Sequence, residues 1–415
     1  MSRVVFIGWT ASGNVNPTLS LVNELVKRGE EVIYIAGDNC RHRIEAAGCT
    51  YLKNGCLSLL FKSSKPNLSK KASKISEGEF LENVSKYYGS LQYLYVLLDK
   101  VKRFIIGLKP DYIIHDSGIG FIKYVCRDLN IPCISSVSLF ALNREMFLRS
   151  PALFSDLYSV QLESNVEVVV KAVDQIAEDC SIEHRYYHDF FDNYVSKENL
   201  NIVYTSMEFQ PHLDLLDNSF HFSGNSLELR KILESKRNYS FSRARKMILI
   251  SFGSFLSSSQ TNVDIYKSFI NYFRNYPATF VLNIGSISKE EFDQIPDNFI
   301  LENGISQLEL LELVDLFITH GGMNSVSEAI QLNTPMIVLP QMTDQFVVAE
   351  QVEKVGIGLN YRTYNIDFCK IEYLISKILS DKSYQENVRY MAETYRATGE
   401  EKTAVDKIFD YVGKR

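Results

Sequence analysis

The sequence predicts an α/β fold with two doubly wound domains, each built on a parallel sheet. Three observations lead to this prediction. Short apolar runs alternate with amphipathic stretches of helix length in the first half, the same alternation restarts at "MILISFG", and the chain has 415 residues. Parallel strands need crossover connections that are usually helices, and a chain of this length exceeds one ordinary core.

The first predicted domain covers residues 1–225 and opens with the strand "VVFIGW", the turn "TASGNVNP" and the helix "TLSLVNELVKRG". A turn of Ser, Gly and Asn, with Pro near the first helical turn, is typical of the entry into an α/β domain. Further strands are predicted at "EVIYIAG", "DYIIHDSG" and "PCISSVS". The apolar spacing over 80–108 predicts a long helix that ends before Lys109 and Pro110.

The polar segment 226–246, "SLELRKILESKRNYSFSRARK", is predicted to link the two domains. The second domain, 247–390, has predicted strands at "MILISFG", "ATFVLNIG", "NFILENG", "DLFITHGG" and "TPMIVLP", and a charged helical segment, 391–415, follows it. Open α/β sheets bind ligands at the carboxyl ends of their strands. The sequence therefore predicts a ligand cleft between the two sheets.

The composition is that of a globular protein with sizeable cores, since 46% of the residues are hydrophobic, 23% charged and 12% aromatic. A formal net charge of −6 argues against a nucleic-acid-binding surface. The N-terminal apolar run is too short for a signal peptide or a membrane span, so we expect a cytoplasmic protein with no transmembrane segment. The seven cysteines lack the spacing typical of zinc sites, and we expect reduced, mostly buried thiols.

The segment 315–331, "DLFITHGGMNSVSEAIQ", carries the strongest functional signal. It predicts a strand, a turn formed by His320 and two glycines, and a helix with Asn324 and Ser325 in its first turn. Glycines permit close backbone approach, and the free N–H groups and dipole of a helix start favour an anion. The pattern predicts a diphosphate site, and Glu328 lies one turn further, where it can accept hydrogen bonds from ribose hydroxyls.

Segments along almost the whole chain occur in a specific order: "NVNPTLSLVNELVKRG", "PDYIIHD", "FSGNSL", "ISFGSF", "ISQLELL", "DLFITHGGMNSVSEAI" and "TPMIVLPQMTDQFVVAEQVEKVGIG". In these segments the chain resembles the UDP-glycosyltransferase superfamily, and most closely its bacterial macrolide glycosyltransferase branch. The resemblance implies the GT-B architecture, with two Rossmann-like domains facing across a cleft. It further implies that the N-terminal domain binds the acceptor, that the C-terminal domain binds the nucleotide sugar, and that 391–415 packs back on the N-terminal domain.

The resemblance also implies a role for each donor-site residue. The diphosphate would be held by His320, Gly322, Asn324, Ser325 and Ser254, the ribose by Glu328, the uracil by the segment of Ile305 and Gln307, and the sugar hydroxyls by Asp344 and Gln345. The last pair favours a hexose such as glucose. Ser306 and Asn225 stand where the family has proline, and neither change removes a charged contact.

No Asp-x-Asp occurs in the chain, so the sequence offers no obvious carboxylate pair for a divalent metal on the diphosphate. The negative charge on the leaving diphosphate would instead be stabilised by fixed hydrogen-bond donors, namely His320, Ser254 and the helix N-terminus. We expect a metal-independent protein with no cofactor, for which a UDP-sugar is the co-substrate.

The acceptor end departs from the family at one position. The family has Gly-His-Val-Asn-Pro where this chain reads "GNVNP", so Asn14 replaces the histidine that acts as general base, while Asp116 matches the aspartate that orients it. An amide can position an acceptor but cannot take a proton near neutral pH. His115 is predicted to face away from Asp116, because neighbouring strand residues point to opposite faces.

Four explanations of Asn14 stay open at the level of sequence. Asp116 acts as the base itself, directly or through a water; the acceptor needs little activation, as with a phenol, a thiol or an activated carbon; the protein binds its ligands without turnover; or the chain is an inactivated variant. The first two keep the chemistry, and the last two remove it.

The function predicted from these features and the resemblance is inverting transfer of a hexose, glucose in the family pattern, from a UDP-sugar to a hydrophobic small molecule such as a polyketide, macrolide or phenolic. The alternative is a silent member that binds the nucleotide sugar or assists an active enzyme; a sugar-nucleotide epimerase fits the motifs less well. Tyr87, Tyr88, Tyr93 and Tyr95 are candidates for an aromatic pocket wall. We expect a monomer or homodimer and no nucleic-acid partner.

Overall fold

The computed structural model describes residues 1–55, 74–180, 189–193, 195–234, 245–253, 260–303, 306–363 and 365–413. These residues form two compact units. The first comprises Met1–Arg230 together with Arg396–Arg415, and the second comprises Lys231–Tyr395. None of the described helices is long and apolar enough to span a membrane.

The first unit is built on a seven-stranded parallel sheet. The strands of this unit are β1 Arg3–Ile7, β2 Glu31–Ala36, β3 Thr50–Lys53, β4 Ile75–Ser76, β5 Tyr112–Asp116, β6 Cys133–Val137, β7 Val160–Gln161, β8 Asn201–Val203 and β9 Phe220–Phe222. The sheet order is β3-β2-β1-β5-β6-β8-β9, and β4 and β7 form a separate parallel pair. The carboxyl ends of β1, β5 and β6 are neighbours, which places the residues that follow them at one edge.

Helices connect these strands. They are α1 Ser12–Val15, α2 Leu19–Lys27, α3 Arg41–Ala46, α4 Glu77–Leu108, α5 Ile122–Leu129, α6 Arg144–Arg149, α7 Pro151–Leu157, α8 Val166–Asp179 and α9 Glu228–Leu233. Helix α4 begins where Ser76 Oγ accepts a hydrogen bond from the backbone N–H of Glu79, and it ends at Lys109 in the left-handed conformation. The predicted helix over 80–108 is confirmed.

The aromatic residues of α4 whose side chains are described belong to the core of this unit. Tyr87 and Tyr88 are both buried, and the ring of Tyr87 packs edge-on against Phe190 at 5.7 Å. Phe190 in turn packs on Tyr158 and Phe80. Tyr87 and Tyr88 therefore fill the interior and do not form a pocket wall, while the side chains of Tyr93 and Tyr95 lie outside the described residues.

The second unit is built on a six-stranded parallel sheet in the order β12-β11-β10-β13-β14-β15. Its strands are β10 Lys246–Ser251, β11 Ala278–Asn283, β12 Phe299–Glu302, β13 Leu316–Thr319, β14 Met336–Val338 and β15 Gly358–Asn360. Its helices are α10 Gln260–Phe273, α11 Gln307–Leu311, α12 Met323–Gln331, α13 Asp344–Lys354, α14 Phe368–Ser380 and α15 Lys382–Ala397. The prediction of two Rossmann-like domains, each on a parallel sheet, is confirmed.

The last helix, α16 Glu400–Tyr411, belongs to the first unit and packs on α2. Its apolar face, formed by Ala404, Val405 and Ile408, is buried in the same core as α2. Arg28, just after α2, forms an ion pair with Asp406, and its guanidinium lies 5.9 Å from the centre of the Phe409 ring. Apolar burial is the main stabilising contribution here, since exposed ion pairs contribute little.

Candidate active site

The turn after β13 has the geometry of a small, tightly packed anion cradle. Gly321 has a φ of 88°, and a Cβ at this position would lie 2.5 Å from Cγ1 of Val338. Only glycine fits this conformation and this contact. The next residue, Gly322, is the N-cap of α12 and offers no side chain to the first turn. The start of α12 therefore leaves room for a ligand against its N–H groups.

Two glycines enclose the ring of His320. A Cβ on Gly253 would lie 2.6 Å from Cε1 of His320, and a Cβ on Gly322 would lie 2.7 Å from its Nε2. Any larger residue at either position would have to move the imidazole ring. The position of His320 is thus fixed by the two glycines, one after β10 and one at the start of α12.

Burial decides the charge of this histidine. It lowers the pKa of His320 from 6.5 to about 4, and the backbone of Ser251 opposes this shift only in part. His320 is therefore neutral near pH 7 in the free protein. A neutral imidazole can donate one hydrogen bond to a phosphate oxygen without carrying a buried charge.

This shift predicts a pH dependence of stability. Between about pH 6.5 and about pH 4 the unfolded chain protonates His320 while the folded protein does not, so stability should fall as the pH falls through this window. At pH 5.5 the contribution is roughly 1 kcal/mol. Urea unfolding at pH 7.5 and pH 5.5 should show a smaller loss in His320→Gln than in the unaltered protein. An equal loss in both would contradict the shifted pKa.

Glu328 is buried in α12 and its carboxylate is held by two amides. Gln307 Nε2 donates to Oε2 at 2.6 Å, and Asn324 Nδ2 donates to Oε1. Gln307 Nε2 also lies 3.2 Å from Ser325 Oγ. The Oδ1 atom of Asn324 is buried with no partner within the described part of the chain, so an acceptor remains that a ligand hydroxyl can satisfy. The structure brings these four predicted donor residues into one cluster.

Two predicted donor residues, Ser254 and Ile305, lie outside the described residues. The residue after Ile305, Ser306, forms the N-cap of α11. Its Oγ accepts from the backbone N–H of Glu309 at 3.3 Å and donates to Glu234 at 2.8 Å. Serine therefore replaces the proline of the family with a capping side chain that starts the helix carrying Gln307.

Asp344 and Gln345 are the first two residues of α13, and their side chains differ in how many of their hydrogen-bonding atoms are already used within the protein. The amide oxygen of Gln345 accepts from the backbone N–H groups of Gln341 and Met342 at 2.9 and 3.2 Å, so it fixes the preceding loop. Asp344 accepts a hydrogen bond from Thr343 Oγ1 at 2.9 Å and is partly exposed. Thr343 has a φ of 32°, an unusual conformation for a β-branched residue. The loop that presents Asp344 is thus held in a single strained turn.

The acceptor residues of the sequence prediction meet in the first unit. Asn14, on the short helix α1 after β1, donates from Nδ2 to Asp116 Oδ2 at 3.1 Å and to Ser138 Oγ at 2.8 Å. Asp116 ends β5, and Ser138 follows β6. The three residues therefore come from neighbouring strands of the same sheet and meet at their carboxyl ends.

These contacts fix the orientation of the Asn14 amide. An ionised carboxylate can only accept, so the NH₂ group of Asn14 must face Asp116, and both of its hydrogens are used by Asp116 and Ser138. Its Oδ1 is the atom left for a ligand. Asp116 also accepts from the backbone N–H of Gly118 at 2.9 Å and is buried. Both carboxylate oxygens already carry a donor, which suits an orienting residue better than a base.

The turn that carries Asn14 is anchored from α3. Arg43 donates to Asn16 Oδ1 and, at 2.9 Å, to Ser12 Oγ, so one guanidinium holds both sides of the turn. At the start of this turn, a Cβ on Gly8 would lie 2.6 Å from Cε1 of Tyr34. These contacts leave little freedom for Asn14 to change its partners.

Sequence comparisons find glycosyltransferases that are similar to this chain. The model of the erythromycin biosynthesis protein CIII-like C-terminal domain matches residues 270–409. The chain is 27% identical to YojK of Bacillus subtilis (strain 168), described as an uncharacterized UDP-glucosyltransferase, over 100% of this chain and 98% of the relative. It is 24% identical to the oleandomycin glycosyltransferase of Streptomyces antibioticus, over 98% of this chain and 90% of the relative. Along almost its whole length the chain is thus similar to UDP-glycosyltransferases, among them a macrolide glycosyltransferase.

The fold of the chain also matches solved structures of glycosyltransferases. The calicheamicin glycosyltransferase CalG4 superposes with a TM-score of 0.75 at 20% identity, over 100% of this chain and 98% of that chain. The kitacinnamycin glycosyltransferase gives a TM-score of 0.69 at 22% identity, over 99% and 98%. Both are GT-B proteins, which confirms the predicted fold class, and the family is one of enzymes.

Sequence reasoning missed three residues that shape these clusters: Gly253 beside His320 in the second unit, and Ser138 and Arg43 around Asn14 in the first. Gly253 lies directly after a predicted strand, and Ser138 lies at the end of "CISSVS", so their strand-end positions carried a usable signal. No sequence signal pointed to Arg43, because its role depends on its side chain reaching from α3 to the turn after β1.

Proposed function

We propose that the protein transfers a hexose, glucose in the first instance, from a UDP-sugar to a hydrophobic small molecule, with inversion at the anomeric carbon. The acceptor class that we propose is a polyketide, macrolide or phenolic. The observation that carries the proposal is the donor cluster around Glu328, where a buried carboxylate, two amides and a glycine-lined helix start lie together. Such a cluster suits the ribose and diphosphate of a nucleotide sugar.

The leaving diphosphate needs a stabilising environment as the bond to the sugar breaks. In this proposal the fixed donors of the turn supply it, namely the neutral His320 and the N–H groups at the start of α12. The chain has no Asp-x-Asp, and within the described residues the cluster of metal-ligating side chains lies in the other unit. We therefore propose that no metal on the diphosphate is required.

Asn14 restricts the acceptor. Its Oδ1 can accept a hydrogen bond from the nucleophile and hold it in place, but it cannot take the proton. A nucleophile that gives up its proton more readily, such as a phenol with a pKa of about 10, loses less from this than the much less acidic alkyl hydroxyl. We propose that phenols and comparably acidic nucleophiles are the better acceptors of this chain.

A second candidate function is binding of the nucleotide sugar without turnover, as a silent or auxiliary member. The presence of Asn14 in place of a histidine also favours this second function, because the loss of a general base lowers the rate about 10²- to 10⁴-fold. The donor cluster would be intact in such a protein, and only the chemical step would be missing.

The test is product formation from UDP-glucose with a series of phenols of decreasing pKa and a set of macrolides, followed by mass spectrometry. We expect glucosides whose rate of formation increases as the phenol becomes more acidic. The anomeric configuration of the product, read by NMR, should be β from the α-linked donor. UDP binding by calorimetry with no product from any acceptor would favour the silent member, and no UDP binding would overturn both functions.

A further inference from the structure

A second group of reactive side chains lies in the first unit, behind Asp116. His115 in β5, Cys133 at the start of β6 and Glu198 before β8 bring their ligand atoms within 4.8 Å of one another. His115 and Cys133 are buried, and the Glu198 side chain is 14% exposed. The three positions are far apart in the sequence and meet only because β5, β6 and β8 are neighbours in the sheet.

The hydrogen bond of His115 fixes its tautomer. Nδ1 lies 2.9 Å from the backbone carbonyl oxygen of Asp116, which can only accept, so Nδ1 carries the proton. In the neutral ring Nε2 then presents a lone pair, and it faces Glu198 Oε1 at 3.4 Å. Two acceptors in contact need either a proton or a metal ion between them. A second bond from the other ring nitrogen to a backbone carbonyl is the usual support of a metal-ligating histidine.

The distance between His115 Nε2 and Glu198 Oε1 fits a bound metal ion better than a shared proton. A charge-assisted hydrogen bond would be about 2.7–2.9 Å long, whereas the observed distance is 3.4 Å. Two ligands about 2.0–2.1 Å from a tetrahedral Zn²⁺ lie about 3.3–3.4 Å apart. The pair therefore already has the spacing of two ligands on one zinc ion.

A cavity of about 340 Å³ opens beside the group and is lined by Cys133 and Glu198, among others. It gives an ion a route to Cys133 and Glu198, beside the buried His115, and gives space for a water as the fourth ligand. Lys123 and Arg127 also line the cavity, and Lys123 forms an ion pair with Asp192. Cys126 lines the same cavity and its thiol is hydrogen-bonded to that of Cys133, but the group of ligand atoms is formed by His115, Cys133 and Glu198.

We propose that His115, Cys133 and Glu198 form a zinc site with three protein ligands and one position open to this cavity. One nitrogen, one sulfur and one oxygen ligand suit Zn²⁺, which is borderline in softness and accepts tetrahedral N, S and O sets. The ion would join β5, β6 and the segment before β8. Because His115 Nδ1 holds the Asp116 carbonyl, it would also fix the strand end that positions Asn14. The site is separate from the nucleotide-sugar cluster and does not depend on the proposed transfer.

Zinc binding requires that the Cys133 thiol lose its proton. Burial raises the pKa of the Cys133 thiol well above its usual range, so the thiol is protonated in the metal-free protein. A zinc-bound cysteine is a thiolate, and the ion must displace this proton.

The experiment uses the full chain after removal of metal with a chelator. We expect one Zn²⁺ per chain in calorimetric titration, and with Co²⁺ a thiolate-to-cobalt charge-transfer band. Cys133→Ala should abolish the band and weaken zinc binding about 100-fold or more. Cys49→Ala, which changes a buried cysteine elsewhere in the same unit, is the matched control and should leave both unchanged.

A second variant separates ligation from folding. Glu198→Gln alters the partly exposed ligand and should keep the far-UV circular dichroism and the unfolding temperature of the metal-free protein, while lowering zinc affinity at least 10-fold. Zinc should also raise the unfolding temperature of the unaltered protein more than that of Glu198→Gln. The proposal is overturned if the unaltered protein binds no stoichiometric zinc, or if Cys133→Ala and Glu198→Gln bind it as the unaltered protein does.

Discussion

Replacing Asn14 by histidine should raise the rate of sugar transfer to an alkyl hydroxyl by about 10² to 10⁴. The surroundings of a catalytic histidine are already in place, because Asp116 Oδ2 lies 3.1 Å from Asn14 Nδ2. A histidine here would donate one ring N–H to Asp116 and leave the other nitrogen to take the proton of the acceptor. The gain should be smaller for acidic phenols, which need the base least.

The measurement is kcat for a macrolide alcohol and for a phenol in Asn14→His and in the unaltered protein. Asn14→His combined with Asp116→Asn should lose most of the gain, because an amide can favour the wrong tautomer of the new histidine. UDP affinity should be the same in all variants, since the change is in the other unit. If the unaltered protein already turns over alcohols well and Asn14→His adds nothing, the chemistry does not depend on a base at position 14.

The doubly wound fold could be predicted from the sequence, because apolar strands are followed by turns rich in Gly, Ser and Asn and then by amphipathic helices. The end of β13, the two glycines after His320 and the start of α12 follow from "ITHGGMNS" alone. The pairing of Asn14 with Asp116 is implied by the family resemblance. The structure has the two side chains in contact, because β1 and β5 are adjacent parallel strands whose carboxyl ends lie at one edge.

Other features needed the folded chain. The short strands β4 and β7 have two residues each, too few for a period to be recognised. The sequence predicts a role for Glu328 but not its burial, since glutamate is usually exposed. It is buried because Gln307 and Asn324 donate to its carboxylate. The zinc ligands carry no spacing signal, because neighbours in a parallel sheet are separated by whole crossover connections.

Replacing Glu328 by glutamine should weaken the binding of UDP by about 10- to 100-fold. The substitution keeps the shape of the side chain but turns one acceptor into a donor, and both carboxylate oxygens now accept from amide N–H groups of Gln307 and Asn324. One of these amides must turn away, which disorders the cluster. Hydrogen bonds to a charged group contribute about 1.5–3 kcal/mol each, which corresponds to this range of affinity.

Calorimetry with UDP and with the uracil nucleoside shows whether the loss of affinity comes from the ribose or from the diphosphate. Glu350→Gln, an exposed carboxylate on α13, removes the same charge from the same unit and should leave both affinities unchanged. If Glu328 holds the ribose, the nucleoside should lose as large a factor as UDP, because the ribose is common to both ligands. A loss confined to UDP would instead mean that Glu328 acts on the diphosphate through Asn324, and an unchanged affinity for both would remove Glu328 from the donor site.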